Sequence, residues 1–195
     1  RDASGNGVIF FKPLLQKSAQ HPDAPSLQAE VSRFGVIGAE KAPGTTYSYS
    51  DPGYNTLGAL VEVVSGRPLG SFLEERIYGP LGMTDTFSHE SKCRNERMAV
   101  VYKGGSDGRL AVVWKPGDAP DYPFVRASGG MITSAADYLR LCQMFLSGGE
   151  LDGKRLLKVE TVKAATTPAP NTEHPYRGGL SWYGLGWELF EGGVF

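Results

Sequence analysis

The sequence predicts a mainly helical α+β chain with a small β-hairpin. Three observations predict it. Apolar residues recur at helical spacing over 54–65 and over 134–146. Between them, 98–114 is dense in β-formers around a glycine-rich gap. Glycine and proline, 26 and 13 residues, make up a fifth of the 195-residue chain and place turns between short elements. The 41% apolar and 21% charged residues are ordinary for a packed domain and exclude a disordered one. Twenty Lys+Arg against 21 Asp+Glu give a net charge of −1, so no basic face for nucleic acid or an anionic membrane is implied. No apolar run approaches the roughly 20 residues of a membrane span.

Each element follows from local pattern. Residues 1–24 hold one short apolar run, Val8 to Phe11, and Arg1 to Gly7 shows no secretory signal pattern. A short helix is expected from Ser26, with Leu27, Val31 and Phe34 on one side. Two Pro-Gly turns, at 43–44 and 52–53, then enclose an aromatic and hydroxyl cluster. The helix over Tyr54–Ser65 repeats Leu57, Leu60, Val61 and Val64, with Gly66 to close it and Pro68 to block extension. A second helix carries Leu69, Phe72, Leu73 and Ile77 and is expected to end at Gly79-Pro80. Met98–Tyr102 and Leu110–Trp114 form the hairpin around Gly104–Gly108. Ser134, with Asp137 three residues on, caps a helix whose stripe is Tyr138, Leu141, Cys142 and Phe145. A last helix runs from about Lys158 to Thr166, and the tail from Tyr183 to Phe195 reads as one strand.

Most apparent motifs are turns. Gly104-x-Ser106-x-Gly108 matches a nucleophile-elbow pattern, but that chemistry needs a helix after the serine and here a strand follows. A hydrolase using Ser106 is the weakest of the functional readings. Gly148-x-x-x-x-Gly153-Lys154 lacks the Ser or Thr of a phosphate loop, because Arg155 stands there. His21, His89 and His174 show no metal-ligand spacing, and no cofactor motif is present, so neither metal nor cofactor is expected. Cys93 and Cys142 are expected to be free thiols. The remaining cluster is Tyr49-Ser50-Asp51. A tyrosine acts as a base only where cations bring its pKa down from about 10, and none is adjacent in sequence.

The segment Pro43-Gly44-Thr45-Thr46-Tyr47-Ser48-Tyr49-Ser50-Asp51-x-Gly53-Tyr54-x-x-Leu57-Gly58 resembles the second active-site motif of the serine β-lactamase-type hydrolases. These include class C β-lactamases, penicillin-binding D,D-peptidases and related esterases. Pro80-Leu81-Gly82-Met83-x-x-Thr86 resembles a further family segment, and Ser128-Gly129-Gly130-Met131-x-x-Ser134-x-x-Asp137-x-x-Arg140 another. Leu146–Leu157 and Gly184-Leu185-Gly186-Trp187 agree too, so the likeness runs in order over 43–187.

The resemblance implies acyl transfer through a serine ester, on a β-lactam, peptidoglycan peptide or carboxylic ester. A serine hydroxyl needs a base, and in such sites a neighbouring ammonium favours the phenolate of a tyrosine. Tyr49 is thereby the implied catalytic base, and Asp51 the implied substrate or relay contact. Asp51 stands where the family has Asn, and an ionised Asp accepts hydrogen bonds but cannot donate, which argues against amide-type substrates. No serine has Lys three residues later, and no late His-x-Gly strand is found. The chain is therefore expected to be inactive alone. Residues 1–181 are expected to form the family's helical insert domain, lacking most of the α/β sandwich, and 182–195 an orphan first sheet strand. That strand, near Trp187–Phe195, would be disordered or paired with another chain. The alternative is a non-catalytic binding or regulatory module that kept the fold. The family implies an extracytoplasmic location.

Overall fold

Ser50 starts the helix that organises the first half. Its backbone is extended, and its Oγ accepts the Gly53 N–H at 2.9 Å. This satisfies one orphan donor of the first turn. The computed structural model describes residues 24–36, 41–93, 95–120, 122–176, 179–191 and 193–194. The run Val8–Phe11 and His21 lie outside the described residues.

Helix α1 is Leu27–Ser32, capped by the Ser26 side chain. Helix α2 is Asp51–Ser65, three residues longer at its start than the apolar pattern predicts. The cap at Ser50 sets that start, and Pro52 sits in the first turn, where its missing N–H costs no helical bond. Gly66 closes α2 in the left-handed conformation at φ 66°.

The face of α2 differs from expectation. Its stripe Leu57, Leu60 and Val64 is exposed, Val64 to 78%. The buried positions are Asn55, Gly58 and Ala59. Gly58 is where neighbours press closest: a Cβ there would lie 2.7 Å from the Ala127 Cβ and 3.0 Å from Leu69 Cδ2. Helical periodicity thus located the helix but not the side that faces the described core.

The second helix also departs from expectation. It runs as α3 (Leu69–Leu73), passes through one π-type turn at Glu74–Tyr78, and continues as α4 (Gly79–Leu81). Gly79 and Pro80 therefore do not end it. The Gly79 N–H bonds to the Glu74 carbonyl five residues back, and this widened turn carries the chain past Pro80. Gly82, at φ 65°, ends the run instead.

Strands β1 (Val101–Gly104) and β2 (Leu110–Trp114) form the expected antiparallel hairpin, its first strand starting three residues late. Ser106 sits in its turn, which closes through Gly105 N–H to Arg109 O at 2.7 Å and Gly108 N–H to Gly105 O at 3.1 Å. Helix α5 is Ala135–Leu146, with the Ser134 Oγ accepting the Asp137 N–H at 3.1 Å. Met144, which the sequence stripe did not include, is its most buried apolar side chain. The phosphate-loop look-alike is a small hairpin of β3 (Glu150–Leu151) and β4 (Lys154–Arg155). Helix α6 is Val159–Ala165.

The chain then forms a four-stranded antiparallel sheet, β5 (His174–Tyr176), β6 (Gly179–Tyr183), β7 (Glu188–Phe190) and β8 (Gly193–Val194), in that order. The orphan-strand expectation is overturned. The tail is not one strand: Gly184–Gly186 breaks it, and β7 is flanked by β6 and β8. Each partner is the sequence neighbour, so the pairing needs no distant segment or second chain. The sheet begins at His174, and the division expected between 181 and 182 falls inside β6.

Two apolar clusters share Leu73. One centres on Leu27, Ala59 and Leu69, the other on Tyr78, Leu81, Met83 and Met144. Among the described residues no helix is long and apolar enough to cross a membrane.

Candidate functional site

Tyr49 precedes the cap of α2, and its side chain is 65% exposed. Asp51 is the first residue of the helix. Two residues back, Tyr47 stacks on His174 of β5, with centroids 4.2 Å apart and planes at 17°. It also meets Tyr183 of β6 at 5.5 Å. The Tyr183 hydroxyl lies 2.6 Å from the Tyr54 hydroxyl of α2. The loop bearing Tyr49 is thereby held between the helix and the sheet.

The electrostatics of Tyr49 run against base character. The Asp51 carboxylate is the main influence and raises the phenol pKa above its usual value of 10.0. Partial burial, a hydrogen bond to Asp51 and the nearby Tyr54 add in the same direction. Tyr47 is also raised, first by burial and then by Glu188. Burial and the Tyr54 hydrogen bond push Tyr183 up strongly. In this chain Tyr49 is a protonated phenol at neutral pH, and a base role needs a cation that outweighs Asp51.

Behind the site, α2 carries a buried amide that sequence reasoning missed. Asn55 Oδ1 accepts the Ala127 N–H at 3.1 Å and the Ser128 N–H at 3.0 Å. Its Nδ2 donates to Glu30 Oε2 at 3.1 Å. One side chain thus fixes the Ser128-Gly129-Gly130 loop and α1 to the helix of Tyr49. The only sequence signal was a polar residue on a helix side lined by Gly58 and Ala59.

A Ser-His-Glu trio also lies in the sheet. Ser181, His174 and Glu188 are close, but Ser181 Oγ and Glu188 Oε1 both face His174 Nε2. A hydrolytic triad needs them on opposite ring nitrogens. Ser181 is fully buried, and its hydroxyl donates to the His174 carbonyl at 3.0 Å. It is not a nucleophile.

The fold is that of penicillin-binding-protein-like proteins. A penicillin-binding protein homologue from Pyrococcus abyssi, described as octameric, superposes with a TM-score of 0.70 at 21% identity, over 95% of this chain and 41% of that one. The Beta-lactamase family model matches residues 15–194, and the chain belongs to that family. A protein of Mycobacterium tuberculosis is 35% identical over 152 residues, which is 75% of this chain and 37% of the relative. An Escherichia coli K12 protein named "Putative D-alanyl-D-alanine carboxypeptidase" is 32% identical over 167 residues, covering 77% and 36%. The chain therefore spans little more than a third of these relatives' length.

Proposed function

We propose that this chain is part of a serine hydrolase that transfers acyl groups through a serine ester. Its helical portion, through about residue 181, is the insert domain of the family fold, and the C-terminal strands begin the sheet of the α/β domain. The observation that carries this is the placement of Tyr49-Ser50-Asp51. An exposed phenol precedes a capped helix N-terminus, on a loop held between helix and sheet. The exposed ridge of Leu57, Leu60 and Val64 supports the insert reading, since apolar helix faces ordinarily pack against further protein.

Tyr49 is the proton acceptor for the attacking serine once a lysine ammonium stands beside it. Asp51 contacts substrate or the relay, accepting hydrogen bonds only. A second reading has a specific observation behind it. Asp51 raises the Tyr49 pKa, as suits a binding or regulatory module that kept the fold and lost the chemistry. The substrate is a small acyl compound, and the family suggests an extracytoplasmic setting.

The test is intact-mass analysis after incubation with a penicillin and with an activated ester. The isolated chain is expected to stay unmodified, and a stoichiometric adduct on one of its serines defeats the proposal. A longer protein supplying Ser-x-x-Lys and His-x-Gly is expected to acylate. Tyr49→Phe in it should slow acylation by about 10²–10⁴-fold, the usual range for loss of a general base. A longer protein that binds acyl compounds without forming an adduct favours the regulatory module.

A further inference from the structure

The imidazole of His174 is ringed by hydrogen-bond acceptors. Nδ1 lies 2.7 Å from the Thr172 carbonyl oxygen. Nε2 lies 2.8 Å from Glu188 Oε1 and 3.3 Å from Ser181 Oγ. The Ser181 proton is already committed to the His174 carbonyl, so its oxygen offers lone pairs to Nε2. A neutral imidazole has one donor and one acceptor nitrogen. Acceptors on both nitrogens require a further proton. Glu188 requires it equally: Oε1 is buried, and among the described residues it has no partner unless Nε2 carries hydrogen. His89 shows the contrast. Its Nδ1 accepts the Ser91 N–H at 3.2 Å and its Nε2 faces the Tyr122 carbonyl at 2.9 Å, a set that a neutral ring satisfies.

We propose that His174 and Glu188 form a proton-held clasp that positions the Tyr47–Tyr49 segment on the sheet, and that loss of the proton opens it. The ring that carries the proton is the one Tyr47 stacks on, and a cationic ring strengthens such stacking. From Tyr47 the contact passes to Tyr183 and on to Tyr54 of α2. The titratable groups facing the pair are Glu188 from β7, Tyr183 from β6 and Tyr47 from the loop, with Tyr54 and Tyr49 beyond them. Glu173, next in sequence, is exposed. Phenols ordinarily stay neutral across the histidine range, so the proton between His174 and Glu188 is what changes there. Once it leaves, the Nε2 lone pair faces a carboxylate at contact distance. The sheet geometry alone carries this inference, which needs no chemistry from Tyr49.

Long-range ¹H–¹⁵N spectra of the ¹⁵N-labelled chain test it, with His174→Gln assigning the signal. At about pH 7, where a free imidazole is mostly neutral, both His174 nitrogens are expected to be protonated. A neutral Nδ1–H tautomer there overturns the proposal. Thermal unfolding gives a second readout. Glu188→Gln presents an amide N–H that a neutral Nε2 can accept. Between about pH 5 and about pH 9 the wild type is expected to lose about 2–4 °C more in melting temperature than Glu188→Gln. Parallel pH slopes also overturn it. If Glu188→Gln does not fold, the wild-type spectrum decides.

Discussion

Asp137 Oδ2 accepts the Thr86 hydroxyl at 2.8 Å across 51 residues of sequence. The same oxygen accepts the Asp85 N–H at 2.7 Å. This carboxylate also begins α5, so one side chain caps a helix and clamps the loop after Gly82 against it. The antiparallel bridge Phe87–Ile132 extends the clamp. Two segments that resemble separate family motifs are thus two halves of one structural contact.

Asp137→Ala tests the clamp. It leaves the Asp85 N–H and the buried Thr86 hydroxyl without their acceptor. A hydrogen bond to a charged group contributes about 1.5–3 kcal/mol, so a loss of about 2–4 kcal/mol is expected in urea unfolding. Thr86→Val should cost less, about 1 kcal/mol, because Asp137 keeps the Asp85 N–H. Equal losses in the two variants would contradict the shared-acceptor arrangement.

Asn55→Ala strips the acceptor from two backbone N–H groups and the amide donor from Glu30. Buried groups left unpaired cost about 1–3 kcal/mol each, so a loss of at least about 2 kcal/mol is expected. Amide hydrogen exchange gives the local readout. The Ala127 and Ser128 amides should lose protection, while α6 stays protected. Unchanged protection at 127–128 would show that the loop is held by other means.

What was legible in the sequence was what short-range chemistry sets. Ser26, Ser50 and Ser134 cap helices because a hydroxyl reaches an N–H three residues on. The Gly104–Gly108 gap turns because its neighbours on both sides are β-formers. Long-range pairings left no local trace. Thr86 does not announce Asp137, nor Tyr54 its contact with Tyr183. The outward face of α2 was missed because apolar spacing reports helicity, whereas Gly58 and Ala59 mark the side where neighbours come close. The terminal sheet was read as one strand because alternation continues through glycines that in fact break it. At the site, Tyr49 and Asp51 were found only through family resemblance, since a tyrosine in a turn has no distinctive pattern.

Glu30 makes stability depend on pH in a definite direction. Burial raises its carboxyl pKa, and Arg126, Arg33 and the Asn55 amide offset this only in part. A folded-state pKa above the unfolded value means that folding favours the protonated acid. Its contribution is full below the ordinary carboxylate range and is lost as pH rises through the folded pKa. Glu30→Gln keeps an acceptor for Asn55 and removes the ionisation. The variant should gain stability relative to wild type between about pH 3 and about pH 7, measured as the difference in urea midpoints. A variant that falls further behind as pH rises would reverse the sign and show that the two arginines outweigh burial.

Asp51 sets the titration of Tyr49, and this separates a base from a spectator. A carboxylate beside a phenol disfavours the phenolate, so the Tyr49 pKa lies above the ordinary tyrosine value. Asp51→Asn removes that charge and leaves Ser50 to cap α2. Tyr49 should then titrate at lower pH than in wild type. Ultraviolet difference titration of tyrosinate reads this, and Tyr49→Phe identifies the component that moves. No shift, or an upward one, would show that Asp51 does not govern the phenol. A downward shift leaves the substituted chain with the Asn that the resembled family carries here, and with a tyrosine easier to ionise. Placed in a longer protein beside a lysine, Asp51→Asn should therefore raise the acylation rate if Tyr49 is the base. If the chain is a module that has lost its chemistry, the titration should shift and no acylation should follow.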